Sequence, residues 1–206
     1  MGSSHRERAR EQFPSVLLGV LGIIQALALE LLWEQGIGGI DRWRALDAAL
    51  AGWLQVLSVF LGVIVVWLMY ATLVLRFAWV PRFADLVFPF VLGALEFLLV
   101  EWTAPERIAA FFLGLAVIFV VGASMTFWIF RAMIAAGDVP DRPLREQIAG
   151  YYPSVAAAAA LLLGALVTGA TGPASAAAAA CLAAANGLLL VQIWIFRRYW
   201  QADLAR

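Results

Sequence analysis

The chain has 206 residues, 64% of them hydrophobic, and its fourteen basic and fourteen acidic residues cancel to a net charge of zero. That apolarity excludes an ordinary soluble domain, and the charge balance offers nothing to attract nucleic acid. A single cysteine, Cys181, excludes an intramolecular disulfide and a cysteine metal cluster. The lone His5, in a polar N-terminal segment, argues against paired-histidine haem ligation, zinc chemistry and a Ser-His-Asp triad, so no metal, cofactor or catalytic residue is assigned.

Every basic residue is Arg, a bias typical of a GC-rich bacterial genome, and the expected location is a bacterial inner (plasma) membrane. A hydrocarbon core of roughly 30 Å needs about 20 apolar residues as helix. Taken in order, residues 1–13 read as a polar cytoplasmic tail with Arg6, Arg8 and Arg10. A first span follows over about 14–33, with Pro14 in its opening turn. It is as long as a full span and no small-residue cleavage site interrupts it, which predicts a retained helix rather than a signal peptide.

After the break Gln35-Gly36-Ile37-Gly38-Gly39, the segment Ile40–Ala48 with Trp43 reads as a short interfacial helix. Further spans are expected over about 49–75, 85–102, 107–130, 151–168 and 174–196. Trp79-Val80-Pro81-Arg82 and Thr171-Gly172-Pro173 are turns, and Thr103-Ala104-Pro105-Glu106 reads as a cap and first helical turn. Ala136–Glu146, with Gly137, Pro140 and Pro143, is the longest polar connection, and 201–206 is a short tail. The expectation is an all-α integral membrane protein whose six transmembrane helices form one domain over 14–200.

Orientation follows from the arginines. With the N-terminus inside, eleven (6, 8, 10, 76, 82, 131, 142, 145, 197, 198 and 206) fall on the cytoplasmic side. Only Arg42, Arg44 and Arg107 fall outside, so the positive-inside rule places both termini in the cytoplasm.

The six helices also read as three consecutive hairpins. The odd helices open near Phe13-Pro14, Phe88-Pro89 and Tyr152-Pro153. The even ones close on Leu73-Val74-Leu75-Arg76, Trp128-Ile129-Phe130-Arg131 and Trp194-Ile195-Phe196-Arg197. As true repeats they would be parallel, about an axis along the membrane normal. The third hairpin is rich in small residues, over 156–160, 176–180 and 183–185, with Gly164 and Gly187. Small faces let helices approach closely in lipid, so this hairpin is expected to pack on itself or on a second subunit, with Asn186 bonding across helices.

Polar groups inside the spans carry the functional expectation. The stretch Leu92–Trp102, LGALEFLLVEW, places Glu96 near mid-membrane, where a carboxyl group is expensive and by default functional. LGIIQALALE, at Leu21–Glu30, repeats its spacing: Gly22 and Gln25 match Gly93 and Glu96, and Glu30 matches Glu101. Glycine and polar residue share a face in each copy. Two such faces meeting would let Gln25 donate to Glu96, and the resulting pair would serve either as a proton or cation site or as a helix lock.

Nearer the outer surface, Glu30, Glu34 and Trp33 stand level with Glu101 and Trp102, which suggests a cation site built from carboxylates and indole faces. Belt tryptophans and solvated helix ends would look the same. No nucleophile–base pair is present, which disfavours an intramembrane enzyme and leaves a lipid- or isoprenoid-handling enzyme with its polar site in the loops as a third reading.

The six-helix pattern and the stretch WLQVLSVFLGVIVVW at Trp53–Trp67 resemble small prokaryotic relatives of the lysosomal potassium channel. Those carry an Arg ahead of a Phe-Ser-Asp signature, whereas this chain has Arg10 followed by Phe13-Pro14-Ser15 and lacks the Asp. The chain is therefore assigned to no family and no residue roles are carried over. The leading expectation is movement of a proton, small cation or cationic solute around Glu96, by a homo-oligomer or part of a larger membrane complex. The alternative is a non-catalytic accessory or scaffold subunit that docks through its Ala-rich third hairpin.

Overall fold

A computed structural model describes residues 2–38, 46–76, 83–135, 152–172 and 175–204. Among them the chain is all-helical: α1 (Gly2–Gly38), α2 (Leu46–Arg76), α3 (Phe83–Glu101), α4 (Ile108–Ala135), α5 (Tyr152–Thr171) and α6 (Ala176–Leu204). Five helices contain stretches long and apolar enough to cross a membrane: Gln12–Gln35, Leu50–Val74, Ile108–Arg131, Pro153–Thr171 and Ala176–Arg198. This is the architecture of a multi-pass, all-α membrane protein. The expected sixth span, α3, is not in that set; it has 19 residues and carries Asp85, Glu96 and Glu101.

The helices outrun the apolar stretches that revealed them. α1 begins at Gly2, so the expected tail is helical and Pro14 lies inside the helix rather than at its start. The reason is local: residues 6–12 (RERAREQ) are mostly strong helix formers, and they carry the helix through Pro14 despite its missing amide hydrogen and the crowding of its ring on the carbonyl four residues back. Pro89 likewise lies within α3. Leu46-Asp47-Ala48 open α2 instead of closing a separate interfacial helix. α4 and α6 continue past Arg131 and Arg197, so the apolar-triplet-Arg motif ends only α2. Hydropathy marks the bilayer and not the end of a helix. The expected features at 39–45, including Trp43, at 79–82 and at 136–146 lie outside the described residues.

The turns show their own chemistry. Thr103 does not cap α4; its hydroxyl donates back to the Leu99 carbonyl at 3.1 Å, and a 3-10 turn, Pro105–Arg107, leads into α4. After α5, Gly172 takes φ +88°, a left-handed conformation suited to glycine, and its amide bonds the Thr168 carbonyl at 3.0 Å. Ser175 then caps α6, its Oγ accepting from the Ala178 amide at 3.2 Å.

Each helix packs on its hairpin mate: α1 on α2, α3 on α4, α5 on α6. Between hairpins, α1 meets α3, α4 meets α5, and α2 meets α6. A single rotation repeated three times would generate the same contact at every junction, whether odd with odd, even with even or even with odd. Here each junction shows a different kind, so the three hairpins are not related by one repeated rotation. By their main contacts the helices instead follow one another round in the order α1, α3, α4, α5, α6, α2, with α2 also touching α3. The interior is filled by Leu21, Leu92, Phe111, Phe112, Leu115, Met125, Leu161 and Leu182, while Ile23, Phe90, Val120, Leu166 and Leu190 point outward, an apolar surface suited to lipid.

Candidate functional site

The site begins at a glycine. Where α1 crosses α3, the bare backbone of Gly93 receives the side chain of Ile24, and a Cβ added at Gly93 would overlap the Ile24 Cγ2 methyl. This approach brings the residue after Ile24 against the residue one turn beyond Gly93. Gln25 Nε2 donates to both carboxyl oxygens of Glu96, at 3.1 Å to Oε1 and 2.9 Å to Oε2. Both side chains are enclosed, with Gln25 5% and Glu96 2% exposed. Gln25 lies near the centre of the apolar stretch Gln12–Gln35, which sets the pair at mid-span.

Two features of the pair bear on its chemistry. Among the described residues, Gln25 is the hydrogen-bond partner of Glu96, and no arginine accompanies it. A carboxylate so placed has no counter-charge to offset its desolvation. The second feature is the other end of the amide: Gln25 Oε1 is buried without a hydrogen-bond partner among the described residues.

The surroundings add residues the sequence reading did not single out. Tyr70 of α2 is 1% exposed, its hydroxyl donates to Met125 Sδ of α4 at 3.0 Å, and its phenol lies within electrostatic reach of Asp85 and Glu96. Gln55 of α2 is wholly buried; its Nε2 makes a long 3.5 Å contact with the Trp102 carbonyl and its Oε1 has no partner. On α6, Gln192 is buried and donates to Ser154 Oγ of α5 at 3.2 Å. Gln55 and Gln192 carry the same signal as Gln25, an amide within an apolar run, and could have been found by it. Tyr70 could not, because a tyrosine is unremarked in such a helix until its neighbours are known.

The outer acidic residues do not assemble. Glu30, Glu34 and Glu101 are exposed, and among the described residues no three His, Cys, Asp or Glu side chains gather as a metal ion would need. Glu101 instead accepts from Gln35 Nε2 at 2.7 Å, and Arg107 reaches the Glu101 backbone carbonyl at 3.3 Å rather than its carboxylate. The two indoles diverge: Trp33 is 69% exposed, whereas the Trp102 ring packs over Gly114, where a Cβ would approach it to 2.8 Å. Of the expected cation box of Glu30, Glu34, Trp33, Glu101 and Trp102, the carboxylates form no metal-ligand group among the described residues and Trp102 packs in the α3–α4 seam.

The expected packing residues divide. Gly93 stands at the α1–α3 crossing described above. Gly164 sits where α5 meets α4 and α6, and a Cβ there would lie 3.2 Å from the Phe112 ring and 3.4 Å from Cys181 Cβ. Gly22 faces open space, with no atom within 4 Å of such a Cβ, so α1 uses Ile24 at the crossing and not its glycine. Asn186 ties α6 to α2: its Nδ2 donates to the Leu54 carbonyl at 3.0 Å and its Oδ1 accepts from Ser58 Oγ at 3.2 Å. Nδ2 also reaches the Leu182 carbonyl of its own helix at 3.0 Å.

Comparison of the chain with known protein families, with curated proteins and with solved structures finds no match. The chemistry of the site is accordingly argued from its own residues.

Proposed function

We propose that this protein moves a proton or small cation across a bacterial plasma membrane, with the Glu96–Gln25 pair as the point through which the charge passes. The observation that carries this reading is a carboxyl group at mid-span, enclosed and held by a neutral amide with no basic partner among the described residues. A purely structural lock would be as well served by two amides, without the expense of a carboxyl group in low dielectric. Tyr70 and Asp85, both buried and lying towards the end of α3 remote from Glu101, extend the polar region to one side of the pair. The arginine count supports an orientation with both termini cytoplasmic, which makes that the inner side.

The test is flux in liposomes reconstituted with the full chain. The expected result is ion-driven uptake that Glu96→Gln abolishes while the variant stays folded and monodisperse. No flux from the wild-type chain, or full flux from Glu96→Gln, would remove the proposal.

A second reading, a non-catalytic subunit of a larger complex, draws on the outer face of α6. There Ala180, Ala183, Ala184 and Gly187 stand exposed at helical spacing, a surface on which another helix could lie closely. A stoichiometric partner that co-purifies with the wild-type chain and is lost on Ala184→Leu would support it.

A further inference from the structure

We propose that the ligand of this site is the proton itself, and that Gln25 reads its presence by turning its side-chain amide, donating to the Glu96 carboxylate and accepting from the Glu96 acid. This deepens the reading above, which leaves proton and small cation open.

The argument starts from the unequal use of the amide. Its nitrogen meets both carboxyl oxygens, and its oxygen, equally buried, meets no donor. An orphaned acceptor in a protein interior is costly, and buried amides normally satisfy both ends. The donor that could serve Gln25 Oε1 is already in contact with the same side chain: a protonated carboxyl carries an O–H, which its ionised form lacks. A half-turn about the last side-chain torsion exchanges the amide oxygen and nitrogen in nearly the same volume. Oε1 would then occupy the place now held by Nε2, at hydrogen-bonding distance from the carboxyl oxygens. Each protonation state of Glu96 is thus matched at the carboxyl end by one orientation of Gln25, the far end of the amide staying unpaired in both. The step is a simple protonation: an O–H bond of a hydronium ion breaks as one forms on a Glu96 oxygen, and that bond breaks in turn when the proton passes to a water molecule on the other side.

The alternatives fit less well. A dehydrated metal cation takes its shell from six or more oxygens, or from rings of carbonyls. This site offers two carboxyl oxygens and one amide oxygen, and the Gly93–Ile24 contact closes the α1–α3 seam one turn away. A proton needs neither the ligands nor the room.

Infrared difference spectroscopy on the full chain in phosphatidylethanolamine–phosphatidylglycerol liposomes tests this without reference to flux. A pH step should raise a protonated-carboxyl carbonyl band that is lost in Glu96→Gln. Glutamine labelled with 13C at the side-chain carbonyl should give an amide band that changes in step with it in the wild-type chain. In Gln25→Met, of similar length and without an amide, the acid band should move to higher wavenumber as its hydrogen bond is lost.

A carboxylate signal that responds to Na+ or K+ at fixed pH overturns the proposal, and so does an amide band that stays still through the titration. Because the wild-type labelling needs no variant, misfolding of Gln25→Met leaves the test intact. If the bands behave as expected but liposomes show no flux, the proton-reading pair stands and transport falls. If flux occurs and requires Na+ or K+, transport stands and the proton assignment falls.

Discussion

Ile24 on α1 lies against the bare backbone of Gly93 on α3, and this contact fixes the distance at which Gln25 meets Glu96. The colliding atom, Ile24 Cγ2, is bonded directly to Cβ and cannot swing far aside. Gly93→Ala is therefore expected to push the helices apart, lowering stability by about 1–3 kcal/mol, the usual effect of overpacking. Ile24→Ala in the same chain should recover much of that loss. Gly22→Ala, three residues before Gln25, should leave stability unchanged or raise it by about 0.4–1 kcal/mol. Equilibrium unfolding in detergent compares the four proteins, and equal losses for Gly93→Ala and Gly22→Ala would contradict the crossing described here.

That contrast also shows how far the sequence could be read. The pairing of Gln25 with Glu96 was legible because two polar groups inside apolar helices have few partners besides each other, and their shared spacing from a glycine put them on comparable faces. The role of Gly22 was not legible, because spacing places a glycine on a face but does not tell which residue of the other helix fills the gap. The acidic rim was legible only in part. Glu30, Glu34 and Glu101 are exposed and Glu101 is held by Gln35, and which rim residues meet depends on the helix crossing. A repeated rotation among the hairpins was not to be read in the sequence either, because local motifs at helix ends carry no information about which helices pack together.

Asn186 is the clearest tie between the first and third hairpins. Its replacement by Leu removes a donor to the Leu54 carbonyl and an acceptor for Ser58, and should cost about 0.6–2 kcal/mol, the range for hydrogen bonds between membrane helices. Ser58→Ala should cost less, since the Ser58 hydroxyl divides its one proton between Asn186 and the Leu54 carbonyl of its own helix at 2.8 Å. A double-mutant cycle on the two residues should return a coupling that accounts for much of the Ser58 effect. A cycle that closes with no coupling would show that the two do not act as a pair.

The small residues of the third hairpin do two jobs, and substitutions should separate them. Ala157 and Gly164 face inward, so bulk there disturbs the chain's own packing and does not report on a partner. Gly164→Val is expected to lower stability by about 1–3 kcal/mol through contact with Phe112 and Cys181. Ala184 is exposed on α6, and Ala184→Leu should change the stability of the isolated protein by no more than about 0.5 kcal/mol. A large loss for Ala184→Leu in the purified monomer would mean that this face is already occupied within the chain.

The carboxyl residues should divide sharply in a flux assay if Glu96 carries the charge. Glu101 shares a 2.7 Å hydrogen bond with Gln35, but both stand at the exposed rim, where such contacts compete with water and contribute little. Glu101→Gln should therefore shift stability by about 0.5 kcal/mol or less and leave flux near wild type. Glu30→Gln and Glu34→Gln, exposed and gathered into no cluster, should behave alike. Glu96→Gln should instead stop flux while keeping the helices together, since an amide at position 96 can still hydrogen-bond the Gln25 amide across the same crossing. If any rim substitution slows flux as far as Glu96→Gln does, the path includes the outer carboxylates and the mid-span pair is not its sole charge-bearing step.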